Sequence, residues 1–325
     1  MNEPIIQYDD KVIPLSAIDT RDHTCRLTLH SDPNPLIASI EAVGLINPPV
    51  LRQRDKGAYH IVCGFRRVEA CRALRWHQIN GRVLVGDLSE LDLLKLPILD
   101  NRSHRPLNVV EQARGIQKLS AHIPDKNRLE VLASLLGFPP NGKVYQKISA
   151  LGRLPEVVQA GLLDESLSFE AGADLSCLSP EEALAFFYLL EGLKLSQNKQ
   201  REVIRLVQEI AAREDLQPPQ VLQCKEIRAI VDSAELNRNE KGSRLRAYLK
   251  RRRFPTLVKA EERFFKELKA LKLNEYVHIT PPPYFEGGSY TLRMTFKNLR
   301  DFNKGRRILD ATAKNPALER LLKPY

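Results

Sequence analysis

Strand-forming patterns fill the first hundred residues of this 325-residue chain and then vanish from about Pro106 to Leu190, which places an α/β domain in its N-terminal third. Lys11–Ile18 is a short apolar run beginning at a turn-prone Asp9-Asp10. Pro49–Leu51 and Tyr59–Val62 read as strands, joined by a hairpin turn at Arg54-Asp55-Lys56-Gly57, and Arg82–Val85 is another short strand. Among them, Leu36, Ile37, Ile40 and Val43 recur at helical spacing after the breaker Asp32-Pro33-Asn34-Pro35 and stop at Gly44. Arg66–Trp76 and Glu90–Leu99 have helix composition. This alternation predicts a compact α/β domain.

From Pro106 to Leu190 only helix-like segments follow, broken at Gly137, Pro139-Pro140, Pro155 and Pro180. Ser196–Glu214 and Gln220–Leu236 read as further helices. Leu257, Phe264, Leu268 and Leu271 then form the seam of a helix packing on another helix, here expected to join two copies of the chain. Glu275–Ile279 and Tyr290–Lys297 look like strands, and Leu299–Ala313 like a helix. The expected organisation is a multidomain α+β chain: an α/β domain over 1–105, an all-α middle over 106–192, a helical basic linker over 193–254, and a small basic α+β module over 255–325 that dimerises.

Charge is segregated along this order. Residues 1–110 carry 14 Lys/Arg and 13 Asp/Glu, residues 111–233 carry 14 and 17, and residues 234–325 carry 22 and 10. The whole excess of +10 therefore sits in the last third, much of it in the run Arg238, Lys241, Arg244, Arg246, Lys250, Arg251, Arg252 and Arg253. A basic module beside two near-neutral ones points to a polyanion partner, with Arg251, Arg252 and Arg253 as phosphate contacts. No stretch approaches the run of about 20 apolar residues that spans a bilayer, so no membrane partner is expected. Met1-Asn2-Glu3-Pro4 lacks the basic start of a signal peptide, and the five cysteines (Cys25, Cys63, Cys71, Cys177 and Cys224) contain no CxxC pair. Reduced, packed thiols in a cytoplasm follow.

Three segments of the first domain carry candidate chemistry. In the first, a helix ends at Gly44 and Leu45-Ile46-Asn47-Pro48-Pro49 leads into a strand. In the second, a strand ends at Gly64 and Phe65-Arg66-Arg67 opens a helix. A glycine there lets backbone N–H groups approach an anion, and the two arginines add charge-assisted bonds to phosphate. In the third, Asp100-Asn101-Arg102-Ser103-His104 offers Asp100 and Asn101 as oxygen ligands for a magnesium ion on a triphosphate.

In this order the three segments resemble the ParB family. Gly44-Leu45-Ile46-Asn47-Pro48 looks like its glycine-leucine-x-x-proline segment, Gly64-Phe65-Arg66-Arg67 like its Gly-Glu-Arg-Arg motif, and Asp100-Asn101 with Leu107-Asn108 and Glu111 like its Glu-Asn-x-x-Arg segment and the helix after it. The resemblance extends over about residues 11–190. It implies a ParB/sulfiredoxin-like N-terminal domain, an all-α helix-turn-helix middle, and a nucleotide pocket of Gly44, Gly64, Arg66, Arg67, Asn101 and His104 that takes CTP with magnesium on Asp100 and Asn101. It further implies double-stranded DNA as partner, a homodimer, a ParA-type ATPase as a further partner, and a nucleoid-associated place in the cytoplasm. Plasmid or element partition, or transcription regulation, is the implied role. Phe65 stands where the family has Glu, Glu69 where it has Arg, Asp100 where it has Glu and His104 where it has Arg. Glu69 opposes a triphosphate unless it pairs with Arg72 or Arg66.

Two enzyme alternatives share the fold. Sulfiredoxins need a cysteine at the helix N-terminus, where this chain has Phe65. A nucleotide-handling enzyme, either a CTP hydrolase or a ParB-like nuclease, is the other. The sequence offers no two-metal carboxylate cluster, and any CTP turnover is expected to be weak.

The DNA reading has its own physics. Leu129, Leu132, Leu135 and Leu136 make an apolar helix face stopped by Gly137, and Val144, Ile148 and Leu151 give a second helix its buried stripe. Asn141, Lys143, Gln146 and Lys147 are left outward, the residue types that reach phosphates and base edges. Where chromosomal ParB proteins carry Gly-His-Ala-Arg, this chain has Glu170-Ala171-Gly172-Ala173, so the usual chromosomal site is not the expected target.

Overall fold

The computed structural model describes residues 6–29, 33–54 and 57–323. Met1–Pro4, Asp32 of the expected breaker and Asp55-Lys56 of the expected turn lie outside the described residues. The chain forms two compact units, Met1–Ile204 and Arg205–Tyr325. The boundaries expected after 105 and 192 fall inside the first, and the one after 254 inside the second.

In the first unit, β1 (Tyr8–Pro14) leads through one 3-10 turn into β2 (Ile18–Asp19), then α1 (Asn34–Val43), β3 (Val50–Gln53), β4 (Tyr59–Cys63), α2 (Phe65–Ala73) and β5 (Gln78–Leu84). The five strands make one mixed sheet in the order β1-β5-β3-β4-β2. β1 runs antiparallel to β5 with Tyr8 opposite Leu84, and β3 antiparallel to β4 with Leu51 opposite Ile61. β3 pairs parallel with β5 and β2 parallel with β4. Ile13, Leu51, Ile61, Val68, Ile79 and Val83 are buried on this sheet and under α2. The first strand starts earlier than the apolar run indicates, because Tyr8–Asp10 gain backbone partners on β5 without burying their side chains.

Helices then follow: α3 (Glu90–His104), α4 (Val109–Ser120), α5 (Asp125–Leu136), α6 (Gly142–Leu151), α7 (Glu156–Leu163), α8 (Phe169–Leu175), α9 (Pro180–Leu193) and α10 (Gln197–Glu214), the last crossing into the second unit. Helix α3 outruns the expected Glu90–Leu99. Ser89 caps its start and Pro97 sits inside it, and it continues so that Asp100, Asn101 and His104 all belong to its C-terminal part. Asn108 and Glu111 close a reciprocal capping box at the start of α4. The Glu111 carboxylate is fully buried, and it accepts from Arg105 at 2.6 and 2.7 Å, from the Thr28 hydroxyl at 2.8 Å and from the Asn108 amide at 3.1 Å. Burial opposes its charge, but the Arg105 guanidinium, Thr28 and Asn108 outweigh it and hold the carboxyl below its ordinary range.

The second unit contains α11 (Pro218–Leu222), α12 (Lys225–Val231), α13 (Arg238–Arg253), α14 (Pro255–Ala270), β6 (Val277–Thr280), β7 (Thr291–Met294), α15 (Leu299–Ala313) and α16 (Pro316–Leu322). β6 and β7 pair antiparallel, with Val277 opposite Met294. Phe264 and Leu271 are buried with Ile279, Ala317 and Leu321, and Leu268 packs against them. The expected intermolecular seam is thus spent inside this unit, where β6 and α16 supply the partner surface that a second copy was expected to bring.

Candidate functional site

The turn from β4 into α2 builds the site. Gly64 has φ +91°, in the left-handed region that favours glycine, and an added Cβ would come within 3.1 Å of the Cα and Cβ of Pro49 and of Arg67 Nε. That close approach lets the 47–49 segment lie against the start of α2. Arg67 fastens it, with Nη1 donating to the Asn47 and Pro48 carbonyls at 3.0 and 3.1 Å and Nη2 to Asp100 Oδ2 at 3.3 Å. One side chain thereby ties the approach to β3, the start of α2 and the end of α3.

A cavity of about 310 Å³ opens at this junction and brings together Gly64, Arg66, Arg67, Asp100, Asn101 and His104. Gly44, expected in the pocket, does not line it. It ends α1 at φ +80°, donating its amide to the Ile40 carbonyl, and acts as a helix stop. Asn101 Nδ2 donates back to the Pro97 carbonyl at 2.8 Å, which fixes the side chain and leaves Oδ1 as its acceptor. Asp100 has Arg67 on one oxygen and, at 3.9 Å from the other, His104 Nε2. Among the described residues no group of three or more His, Cys, Asp or Glu side chains is placed to hold a metal ion.

Sequence reasoning missed the loop that closes the cavity. Arg26 and Thr28 line it, carried by a segment with no periodicity to mark it. Arg26 lies over the Phe65 ring at 5.6 Å and pairs with Glu69, Nη1 to Oε1 at 2.6 Å. Glu69 is therefore neutralised by Arg26, and not by Arg72, which instead donates to the Leu15 and Ile18 carbonyls and to Thr20. Cys25 and Cys63 also face the cavity. Burial pushes the Cys25 thiol up to about 11 and raises Cys63 further, so neither is a thiolate at neutral pH.

On the α5–α6 pair, Leu132, Leu136, Ile148 and Leu151 are all buried, and Gly137 ends α5 in the left-handed region. Asn141 caps α6, accepting from the Lys143 amide at 2.9 Å, so its side chain serves the helix start. Lys143 and Gln146 are exposed. Lys147 departs from expectation: its ammonium lies 2.7 Å from both Glu170 oxygens.

The basic run is similarly engaged. Arg251 pairs with Glu262 at 2.8 Å, Arg252 with Glu214 at 2.5 Å, and Arg253 with Glu209 at 2.8 Å while stacking on Phe254. The acidic partners come from α10 and α14, distant in sequence, which is why counting charges within the run overstated its free charge.

The site is thus a strand–glycine–helix turn with paired arginines, completed by an Asp-Asn pair from α3. Residues 8–102 match the family model of the ParB N-terminal domain. The curated relatives include the nucleoid occlusion proteins of Bacillus mycoides (strain KBAB4) and Bacillus thuringiensis (strain Al Hakam), each 29% identical over 147 residues, 45% of this chain and 49% of the relative. The chain thus spans about half the length of the curated relatives it matches. Among solved structures, C-terminally truncated ParB from Caulobacter crescentus complexed with CTP-gamma-S is 22% identical, covers 56% of this chain and 98% of its own, and has a TM-score of 0.27. The same protein complexed to the centromeric parS site is 22% identical over 60% of this chain and 98% of its own, with a TM-score of 0.33. No helix among the described residues is long and apolar enough to cross a membrane.

Proposed function

We propose that this chain is a ParB-type DNA-binding protein whose N-terminal domain takes CTP, and that it acts in plasmid or element partition or in transcription regulation, at the nucleoid. The observation that carries the reading is the cavity that gathers Gly64, Arg66, Arg67, Asp100, Asn101 and His104 from separate elements. Its cations suit a polyphosphate, and the start of α2 adds its backbone N–H groups. The choice of CTP rests on the resemblance of residues 8–102 to the ParB N-terminal domain.

Magnesium fits only in company. Asp100 already faces Arg67 and His104, and Asn101 contributes a single neutral oxygen. Magnesium is commonly held by one or two carboxylates together with substrate phosphates. Asp100 and Asn101 Oδ1 would hold it alongside the triphosphate, with Arg67 turning from Asp100 to a phosphate. The ion would supply charge neutralisation between phosphates.

The α5–α6 pair forms a helix-turn-helix that lays α6 against a duplex, with Lys143 and Gln146 reaching it. Glu170, holding Lys147, distinguishes this surface from that of proteins reading the chromosomal site. Dimerisation through the basic α+β C-terminal module belongs to the same reading. With Phe264 and Leu271 internal, a second copy would meet the exposed Leu292, Phe296 and Leu299.

Calorimetric titration with CTP, GTP, ATP and UTP in magnesium tests the pocket. CTP should bind, and Arg67→Ala should abolish its heat. No binding of any triphosphate at millimolar concentration would overturn the nucleotide reading and leave the DNA reading to be judged by duplex binding.

A further inference from the structure

A second cavity, of about 350 Å³, lies in the first unit between the 23–29 loop, α4 and the turn from α6 into α7. It is within the size range of small-molecule sites. Its lining carries three cations, Arg26, Arg114 and Lys118, against one carboxylate, Glu156. The four side chains differ in how well they are answered. Arg26 has Glu69, which lies outside this lining. Arg114 is 14% exposed and donates Nε to Gln159 Oε1 at 3.0 Å and Nη2 to Glu156 at 2.7 Å. Gln159 is itself fixed by its own donation to the Leu154 carbonyl at 2.8 Å, so it holds the Arg114 guanidinium in place. Glu156, however, is 67% exposed, and an ion pair on so open a carboxylate is easily exchanged for another anion.

Lys118 is the least answered of the cations. Its ammonium donates to the His23 and Thr24 carbonyls at 2.9 and 2.8 Å, and among the described residues no carboxylate lies within ion-pair distance of it. Burial pulls it below the ordinary lysine range, as expected for a desolvated cation short of counter-charge. Two neutral carbonyls orient an ammonium without neutralising it. The cavity therefore presents Arg114 and Lys118 as oriented cations that its own lining answers only in part, through the exposed Glu156.

We propose that this second cavity binds a small phosphorylated anion, held by Lys118 and Arg114. It is a concave site walled by loop, helix and turn, which suits a compact ligand better than the rod of a duplex. The site is separate from the Arg67 cavity, although the 23–29 loop borders both through Arg26 and Thr28. The proposal does not depend on CTP binding in the first cavity.

Inorganic pyrophosphate is the probe, titrated into the full chain by calorimetry in an Arg67→Ala background so that the first cavity is disabled. Gln117 is an exposed lining residue, and Gln117→Glu adds a carboxylate to the site with almost no change in side-chain size. Pyrophosphate should still bind the Arg67→Ala protein, and both Lys118→Met and Gln117→Glu should weaken it about tenfold or more. Gln117→Glu carries the test if Lys118→Met melts early. Loss of all pyrophosphate binding with Arg67→Ala, or equal binding with and without Gln117→Glu, would overturn the proposal. Displacement of pyrophosphate by a short DNA duplex would assign the site to backbone phosphate and overturn the small-molecule reading.

Discussion

Arg26 and Glu69 meet in a two-pronged ion pair, Nη1 2.6 Å from Oε1 and Nη2 3.5 Å from Oε2, at the edge of the Arg67 cavity. The arginine side is 11% exposed and the carboxylate 41%, so the cation is the buried partner. A carboxylate at position 69 would repel a triphosphate, but here its charge is spent on the loop that closes the site. The pair cancels a cation as well as an anion, so the cavity gains less positive potential from Arg26 than its lining suggests.

Glu69→Gln should release that potential. CTP affinity should rise by a few-fold to about tenfold, the scale of one partly screened charge removed near a polyphosphate. Arg26→Ala should lower it. Calorimetry on both variants decides: unchanged affinity in both would place Arg26 outside the nucleotide's reach.

The same loop is pinned at its start by Asp22 and His60, with Oδ2 and Nδ1 2.5 Å apart. Burial opposes the Asp22 charge, but the Thr24 hydroxyl and amide and the His60 ring outweigh it and bring the carboxyl down to about 2. A carboxyl lowered by folding stabilises the fold above its unfolded value and loses that contribution as pH falls through the folded value. The stabilisation, on the order of 2 kcal/mol, should therefore disappear between about pH 4 and pH 2. Asp22→Asn should melt lower than the parent at pH 6, and the gap should close as the pH approaches 2.

What the sequence made legible follows the range of the interactions. Gly64, Arg66 and Arg67 sit within one short motif, and the helix-opening glycine with its arginines could be read directly. So could the α5–α6 pair, whose apolar spacing is local. Arg26 could not, because its role depends on Glu69, 43 residues away, and on a loop without periodicity. Phe264 and Leu271 were read correctly as a packing face, but periodicity cannot say whether the partner is α16 of the same chain or another copy.

Lys147 shows how a distant carboxylate reshapes a surface. Glu170 holds it at 2.7 Å from both oxygens, and a salt-bridged lysine brings little net charge to a phosphate. Glu170→Gln should free it. Each added phosphate contact contributes about −0.9 to the slope of log affinity against log salt, so that slope should steepen by about one contact per bound α6. Random and specific duplexes should gain alike, because phosphates carry no base identity. Gln146→Ala should instead reduce the preference between sequences. A salt slope unmoved by Glu170→Gln would show that α6 does not bring Lys147 near the backbone.

Arg252 separates the two roles open to the basic run. Its guanidinium grips Glu214 at 2.5 Å through Nη2 and 3.2 Å through Nε, is 19% exposed, and lies 3.4 Å from the Tyr248 hydroxyl. The Glu214 hydrogen bond raises the Arg252 pKa further, and Arg252 in turn holds the Glu214 carboxyl below its ordinary range. An arginine placed this way ties α13 to α10 before it can serve a phosphate. Arg252→Ala should therefore cost about 1–2 kcal/mol of stability, as for a half-buried pair left with one member, and lower the melting temperature. It should barely change the salt dependence of DNA binding. Arg244 is exposed on the same helix, and Arg244→Ala should do the reverse, leaving the melt unchanged and flattening the salt slope by about 0.9 if the run meets a duplex. If Arg252→Ala flattens the slope while the melt stays put, the Glu214 pair opens on DNA and the run is a phosphate-binding surface after all.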